Sequence, residues 1–216
     1  IGVTNWAYNV KMLADELITY GGQTIVIEAA HSEHKTSDFS KFVKRVPQLG
    51  QSYADILNFG LSKVTTKYLF YLDDPLRALP AKHFAECLVQ SLKTFQNSKI
   101  GILGIGSSME PNTEVLVTKG DAAASKKISG LFAPTFALNL EGMRYTGGFR
   151  PFGNSIALTS LDLSLRLEEQ GFGSKLFETD KISCPTSSEK YYLMESGGEA
   201  LIGFERIWKR TPSQLL

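Results

Sequence analysis

At 216 residues, 43% hydrophobic and 21% charged, the chain has the make-up of a soluble globular protein, which excludes disordered, collagen-like and coiled-coil chains and fits one α/β domain. Its 23 basic and 22 acidic residues are spread along the sequence to a net +1, which argues against a nucleic-acid partner. No run approaches the roughly eighteen apolar residues of a membrane span, the N-terminus lacks the pattern of a signal peptide, and Cys87 and Cys184 match no metal or redox spacing.

Strand-like apolar runs alternate with helix-period segments through the first half, the mark of βαβ units on a parallel sheet. Residues 1–4 predict a short strand. Residues 10–20 predict a helix with Val10, Leu13, Leu17 and Ile18 on one side, stopped by Gly21-Gly22. A β-branched strand follows at 24–28, then a polar loop at 31–40 and a helix at 52–63 carrying Ala54, Ile56, Leu57 and Leu61. Residues 68–72 predict a central strand that runs into Asp73-Asp74-Pro75, and a helix at 81–95 and a strand at 100–103 complete the pattern. Beyond about residue 106 the rhythm changes: a turn region at 107–112, a strand at 114–118, an extended apolar segment at 131–139, a helix at 161–170 stopped by Gly171-Phe172-Gly173, and a last strand at 175–178. No repeat or linker marks a boundary, so residues 1–216 are expected to form one domain, with halves at 1–106 and 107–216.

In open parallel sheets ligands bind beyond the carboxyl ends of strands. Three polar features fall there: Thr4-Asn5-Trp6 after the first strand, Glu28 at the end of the second, and Asp73-Asp74 after the strand at 68–72. Paired carboxylates at a strand end suit Mn²⁺ or Mg²⁺, which take oxygen ligands from the protein and from a pyrophosphate; the same residues also suit a plain turn.

The order of these features resembles the family 2 inverting glycosyltransferases of the GT-A fold. Trp6-Ala7-Tyr8-Asn9 is similar to that family's opening turn, Ile25-Val26-Ile27-Glu28 to its base-contacting strand end, and Leu57-Asn58-Phe59-Gly60 to the helix before its Asp-x-Asp strand. Tyr68 to Asp74 matches that strand, Gly147-Gly148-Phe149-Arg150 its Gly-Gly-Phe stretch, and Asp162-Leu163-Ser164-Leu165-Arg166-Leu167 its Asp-Leu-x-Leu-Arg-Leu helix. The resemblance covers roughly residues 1 to 178 and implies a three-layer sandwich with a mostly parallel central sheet and a mixed C-terminal half. It implies transfer of a sugar from a nucleotide-sugar, expected to be a UDP-sugar, to a glycan or other hydroxyl acceptor. Thr4, Asn5, Trp6, Glu28, Asn58 and Asp73 would contact the nucleotide, Asp74 and Asp73 a Mn²⁺ or Mg²⁺ ion, and Gly148 and Phe149 would lie on the acceptor side. A polysaccharide-building enzyme in the cytoplasm, alone or within a larger or membrane-associated protein, is the corresponding expectation.

Departures from the family pattern fall on working positions. Pro75 replaces the last acid of Asp-x-Asp, Leu57 replaces an arginine, no late histidine exists, and Thr159-Ser160 stand where the family has the Glu-Asp pair that supplies its base. A serine of ordinary pKa is not a general base, so Asp162 is the expected substitute, with a helix-capping role as its alternative. A glycosyltransferase-like domain that has lost transfer and binds nucleotide, glycan or a partner is the rival reading. Gly104-Ile105-Gly106 is too incomplete to support a dinucleotide site, and His31 and His34 read as a solvated loop pair. Residues 107–130, with Lys119, Lys126 and Lys127, are expected to form a flap over the pyrophosphate.

Overall fold

Local chemistry starts the first complete helix. The Ser52 hydroxyl accepts from the Asp55 amide at 3.2 Å while the Asp55 carboxylate accepts from the Ser52 amide at 3.1 Å, a capping box at the head of α1, Tyr53–Leu61. The computed structural model describes residues 2–3, 15–20, 25–28, 44–47, 52–71, 81–96, 99–106, 136–153, 155–178 and 197–210. In chain order they form β1 Gly2–Val3, β2 Ile25–Glu28, β3 Lys44–Pro47, α1, β4 Tyr68–Tyr71, α2 Ala81–Gln96, β5 Ile100–Gly106, β6 Phe136–Asn139, α3 Leu140–Thr146, α4 Ile156–Glu169, β7 Gly173–Glu178 and α5 Gly197–Trp208. Residues 15–18 add a helical turn inside the helix expected at 10–20. The strand expected at 114–118 and the flap at 107–130 lie outside the described residues.

β1, β2 and β3 pair in parallel in that order, as expected for the first half. The second sheet, ordered β4-β6-β5-β7, is mixed: β6 runs antiparallel to both β4 and β5, and β5 and β7 are parallel. This corrects the expectation of a mostly parallel central sheet, and β4, expected to be central, stands at an edge of this sheet among the described residues. The segment expected only to be extended at 131–139 supplies β6, inserted between two strands of the first half.

Side-chain alternation covers both faces of this sheet. Leu69, Tyr71, Phe136, Leu138 and Ile102 join one core with α1, α3 and α4; Tyr68, Phe70, Ala137, Leu103 and Ile105 join another with Phe95 and Leu88 of α2 and with Leu17. A bulge between Ile100 and Ile102 shifts the pleat by one residue, which places Ile100 with Leu103 and Ile105. Helices on both faces of a sheet make three layers.

α4 is the central helix. It begins at Ile156, with the Ser155 hydroxyl accepting from the Leu158 amide at 3.1 Å, rather than at residue 161. The capping role considered for Asp162 is thereby corrected: Asp162 lies two turns inside the helix, and Ile156 and Leu158 extend the apolar surface ahead of it. Its end is a Schellman turn in which Phe172 N–H donates to Leu167 O at 2.9 Å, Gly171 N–H donates to Glu168 O at 2.9 Å, and Gly171 takes φ 79°. Leu167 and Phe172 then press on Gly101 and Gly142; a Cβ at Gly142 would sit 2.7 Å from Leu167 Cδ2.

α5, β3 and α3 were not expected from the sequence. α5 buries Ala200 and Phe204 against Phe152, Leu158, Leu161 and Leu165, so α4 is enclosed on a further side. No helix among the described residues is long and apolar enough to cross a membrane.

Gly142→Ala should lower stability by about 1–2 kcal/mol in urea unfolding, because overpacking against Leu167 outweighs the roughly 1 kcal/mol that alanine gains over glycine in a helix; a stabilised variant would show that Leu167 has room to move.

Candidate functional site

The carboxyl ends of β4, β5 and β7 come together at one edge of the mixed sheet, where Tyr71 faces Phe136, Phe136 faces Gly104, and Gly104 faces Leu176. Asp73 and Asp74 follow Tyr71 in the chain by two and three residues, and they lie outside the described residues. So do Thr4, Asn5 and Trp6. Glu28 closes β2 directly opposite Val3, so the backbone places the ends of β1 and β2 side by side; the Glu28 side chain is outside the described set.

Three of the expected residues are brought into contact. The Asn58 carboxamide reaches from α1 to the backbone of Phe149: Nδ2 donates to Phe149 O at 2.8 Å and Oδ1 accepts from Phe149 N at 2.8 Å. Both partners dictate the amide's orientation, since an N–H requires an acceptor and a carbonyl a donor. Gly147 ends α3 in the left-handed region at φ 75° and Gly148 follows at φ 92°. A Cβ at Gly148 would stand 2.7 Å from Asn58 Oδ1, so the clamp requires glycine there. The buried Phe149 ring packs 6.2 Å from Phe136, which stacks on Tyr71 at 5.1 Å. The Gly-Gly-Phe segment is therefore fastened behind the end of β4, the strand that Asp73 and Asp74 follow in sequence.

Asp162 is fully buried on α4, and its carboxylate accepts three side-chain hydrogen bonds and makes a further ion-pair contact. Oδ2 lies 2.8 Å from Arg166 Nε and 2.7 Å from Arg166 Nη2; Oδ1 lies 3.0 Å from Trp208 Nε1 and 3.4 Å from Arg150 Nη1. Three of these contacts are hydrogen bonds, while Arg166 Nη2 meets Oδ2 by charge alone and has no hydrogen-bond partner. Arg166 also donates from Nη1 to Thr146 O at 2.6 Å, tying α4 to the last residue of α3. Burial pulls the Arg166 guanidinium below its ordinary range; Asp162 opposes this by attraction and hydrogen bonding, and the Arg150 charge adds to it. Thr159 and Ser160 are fully buried on the same helix, and the Thr159 hydroxyl donates to Ser155 O at 2.8 Å.

Arg166, Arg150 and Trp208 were missed in the sequence. Arg166 stands four residues after Asp162, the spacing of a helical ion pair, so that signal was present. Trp208 comes from a helix 46 residues further on and left none.

At the opposite, amino-terminal edge of the sheet an open cleft of about 520 Å³ is lined by Lys67, Tyr68, Lys99, Glu141, Tyr145 and Phe172 among others. It contains none of the expected site residues. Among the described residues no three His, Cys, Asp or Glu side chains gather as a metal site.

No family model matches the chain, and no curated protein matches it. Among solved structures it is similar to the mannosyltransferase PcManGT from Pyrobaculum calidifontis, solved in complex with GDP-Man and Mn²⁺, with a TM-score of 0.58 and 12% identity. The match covers 98% of this chain and 64% of that one. The fold is glycosyltransferase-like. At this identity the likeness is one of architecture, and it spans both sheets and the helices that cover them.

Two stability measurements check the site's construction. Gly148→Ala should cost about 1–3 kcal/mol in chemical denaturation, from backbone strain and a displaced Asn58. Arg166→Met, which leaves the Asp162 carboxylate buried without its principal partner, should cost about 3–5 kcal/mol.

Proposed function

We propose that the chain is a glycosyltransferase domain that moves a sugar from a nucleotide-sugar to a hydroxyl of a glycan or other acceptor. The observation that carries this reading is the likeness in architecture to the mannosyltransferase over 98% of the chain. It agrees with an acidic pair in sequence just past the end of β4. In this reading Asp73 and Asp74 hold a Mn²⁺ or Mg²⁺ ion, whose positive charge would offset that of the leaving diphosphate. Thr4, Asn5, Trp6 and Glu28 lie on the nucleotide side, and Asn58 acts by holding Gly148 and Phe149 on the acceptor side. The UDP-sugar expected from the sequence finds no support in the comparison, since that neighbour holds GDP-Man.

Inverting transfer needs a carboxylate within hydrogen-bond reach of the acceptor hydroxyl, to take its proton as the oxygen attacks the anomeric carbon and the nucleoside diphosphate leaves. Fully buried and engaged by Arg166, Trp208 and Arg150, Asp162 serves in this reading as a structural anchor, and the base lies elsewhere. The same geometry favours one rival, a domain that binds a donor or partner without transferring sugar.

Calorimetric titration with GDP, UDP and CMP and their sugar conjugates, with and without Mn²⁺, on wild type and Asp74→Ala, tests the proposal. Cation-dependent binding of one nucleoside diphosphate, lost in Asp74→Ala, is the expected outcome; no binding of any would contradict it. Donor binding without transfer or hydrolysis would select the rival.

A further inference from the structure

The segment from Gly147 to Arg150 is held at three points. Arg166 holds its start through Thr146 O at 2.6 Å, Asn58 holds its middle through Phe149 N and O, and Asp162 meets the Arg150 side chain at its end. The first and third holds share one carboxylate, because Asp162 also fixes Arg166 through Nε and Nη2. That carboxylate has one more donor, and it comes from a separate helix: Trp208, in the last turn of α5, gives Nε1–H to Asp162 Oδ1 at 3.0 Å.

Oδ1 is shared between this indole and Arg150, whose guanidinium is 45% exposed and at 3.4 Å is the longest of the four contacts. Without the indole, Oδ1 keeps only that long, solvent-exposed contact, and Arg166 alone fixes the carboxylate, from the Oδ2 side. Losing the restraint on Oδ1 would loosen its holds on the segment. The indole is itself directed by packing, since its ring lies 6.3 Å from Phe204, and Phe204 lies 5.5 Å from Phe152, just past Arg150 in the chain.

We propose that Trp208 is a positioning residue: through Asp162 it sets how firmly α5 holds the Gly147–Arg150 segment, which in the glycosyltransferase reading forms the acceptor side. Its relevance to transfer rests on that reading. The coupling itself does not, and it can be measured on the free protein.

Amide hydrogen exchange at Phe149, whose N–H is the one Asn58 accepts, reads the hold directly, and buried amides of β5 report global stability. Trp208→Phe keeps a ring against Phe204 and removes the N–H. It should speed exchange at Phe149 by about tenfold relative to the β5 amides, as expected for losing a hydrogen bond to a charged group. Benzothienylalanine at position 208 alone preserves the indole's shape without its N–H, and should do the same should the phenylalanine variant fold poorly. Ala200→Gly weakens α5 two turns away from Trp208 and leaves the indole and Phe204 in place, and should move Phe149 no more than the β5 amides. Unchanged protection at Phe149 in the N–H-free variants, or an equal local effect of Ala200→Gly, would overturn the proposal. Failure of nucleotide binding would sink the transferase reading and leave this result standing.

Discussion

A charge buried in a helix core is the constraint around which the described structure is arranged. α4 is buried at nearly every position from Ile156 to Leu167, so Asp162 and Arg166 have no water to solvate them. Removing an ion pair from water is costly unless the remaining hydrogen-bonding capacity is filled. Here Arg150, Trp208 and the Thr146 carbonyl fill most of it, from the α3–α4 connection, α5 and α3 respectively, and Arg166 Nη2 keeps the ion pair alone. A pair of this kind contributes little net stability, and its effect is instead to specify which elements must meet around α4.

That specification reaches the candidate site. The segment that leaves α3 has to pass Asp162 and Arg166 and also present Phe149 to Asn58, a path that requires two consecutive residues at positive φ, met by Gly147 and Gly148. Phe149 then backs Phe136 and Tyr71 at the carboxyl edge of the mixed sheet. In the proposed reading, a support behind the end of β4 would serve a site whose two substrates must be held in line.

Much of this was legible in the sequence where a local rule decides. The helix expected at 52–63, the Gly171 stop and the strand expected at 68–72 rest on patterns within a few residues, and the structure has α1, the stop and β4 there. Asn58 and Gly148-Phe149 were singled out separately, but their contact joins positions 91 residues apart and no periodicity encodes it. The start of α4 was misplaced because Thr159-Ser160-Leu161-Asp162 imitates a helix start, while the deciding cap, Ser155, lies behind a glycine- and proline-bearing stretch that reads as loop. β6 was read as extended without an orientation, since four buried residues carry no sign of whether their neighbours run parallel. Asp162 illustrates the limit most clearly: a lone carboxylate in a sequence reads as available for chemistry, and only the folded arrangement shows that Arg166, Trp208 and Arg150 engage it.

The central claim is that the ligand site lies at the carboxyl edge of the mixed sheet. Hydrogen–deuterium exchange with and without GDP-mannose and Mn²⁺, extended to the UDP and CMP sugars, tests it most directly, because the two edges fall on different peptides. The account predicts ligand-dependent protection in peptides spanning residues 72–80 and 147–150. Protection confined to residues 96–99 and 139–146, which border the open cleft at the opposite edge, would contradict it.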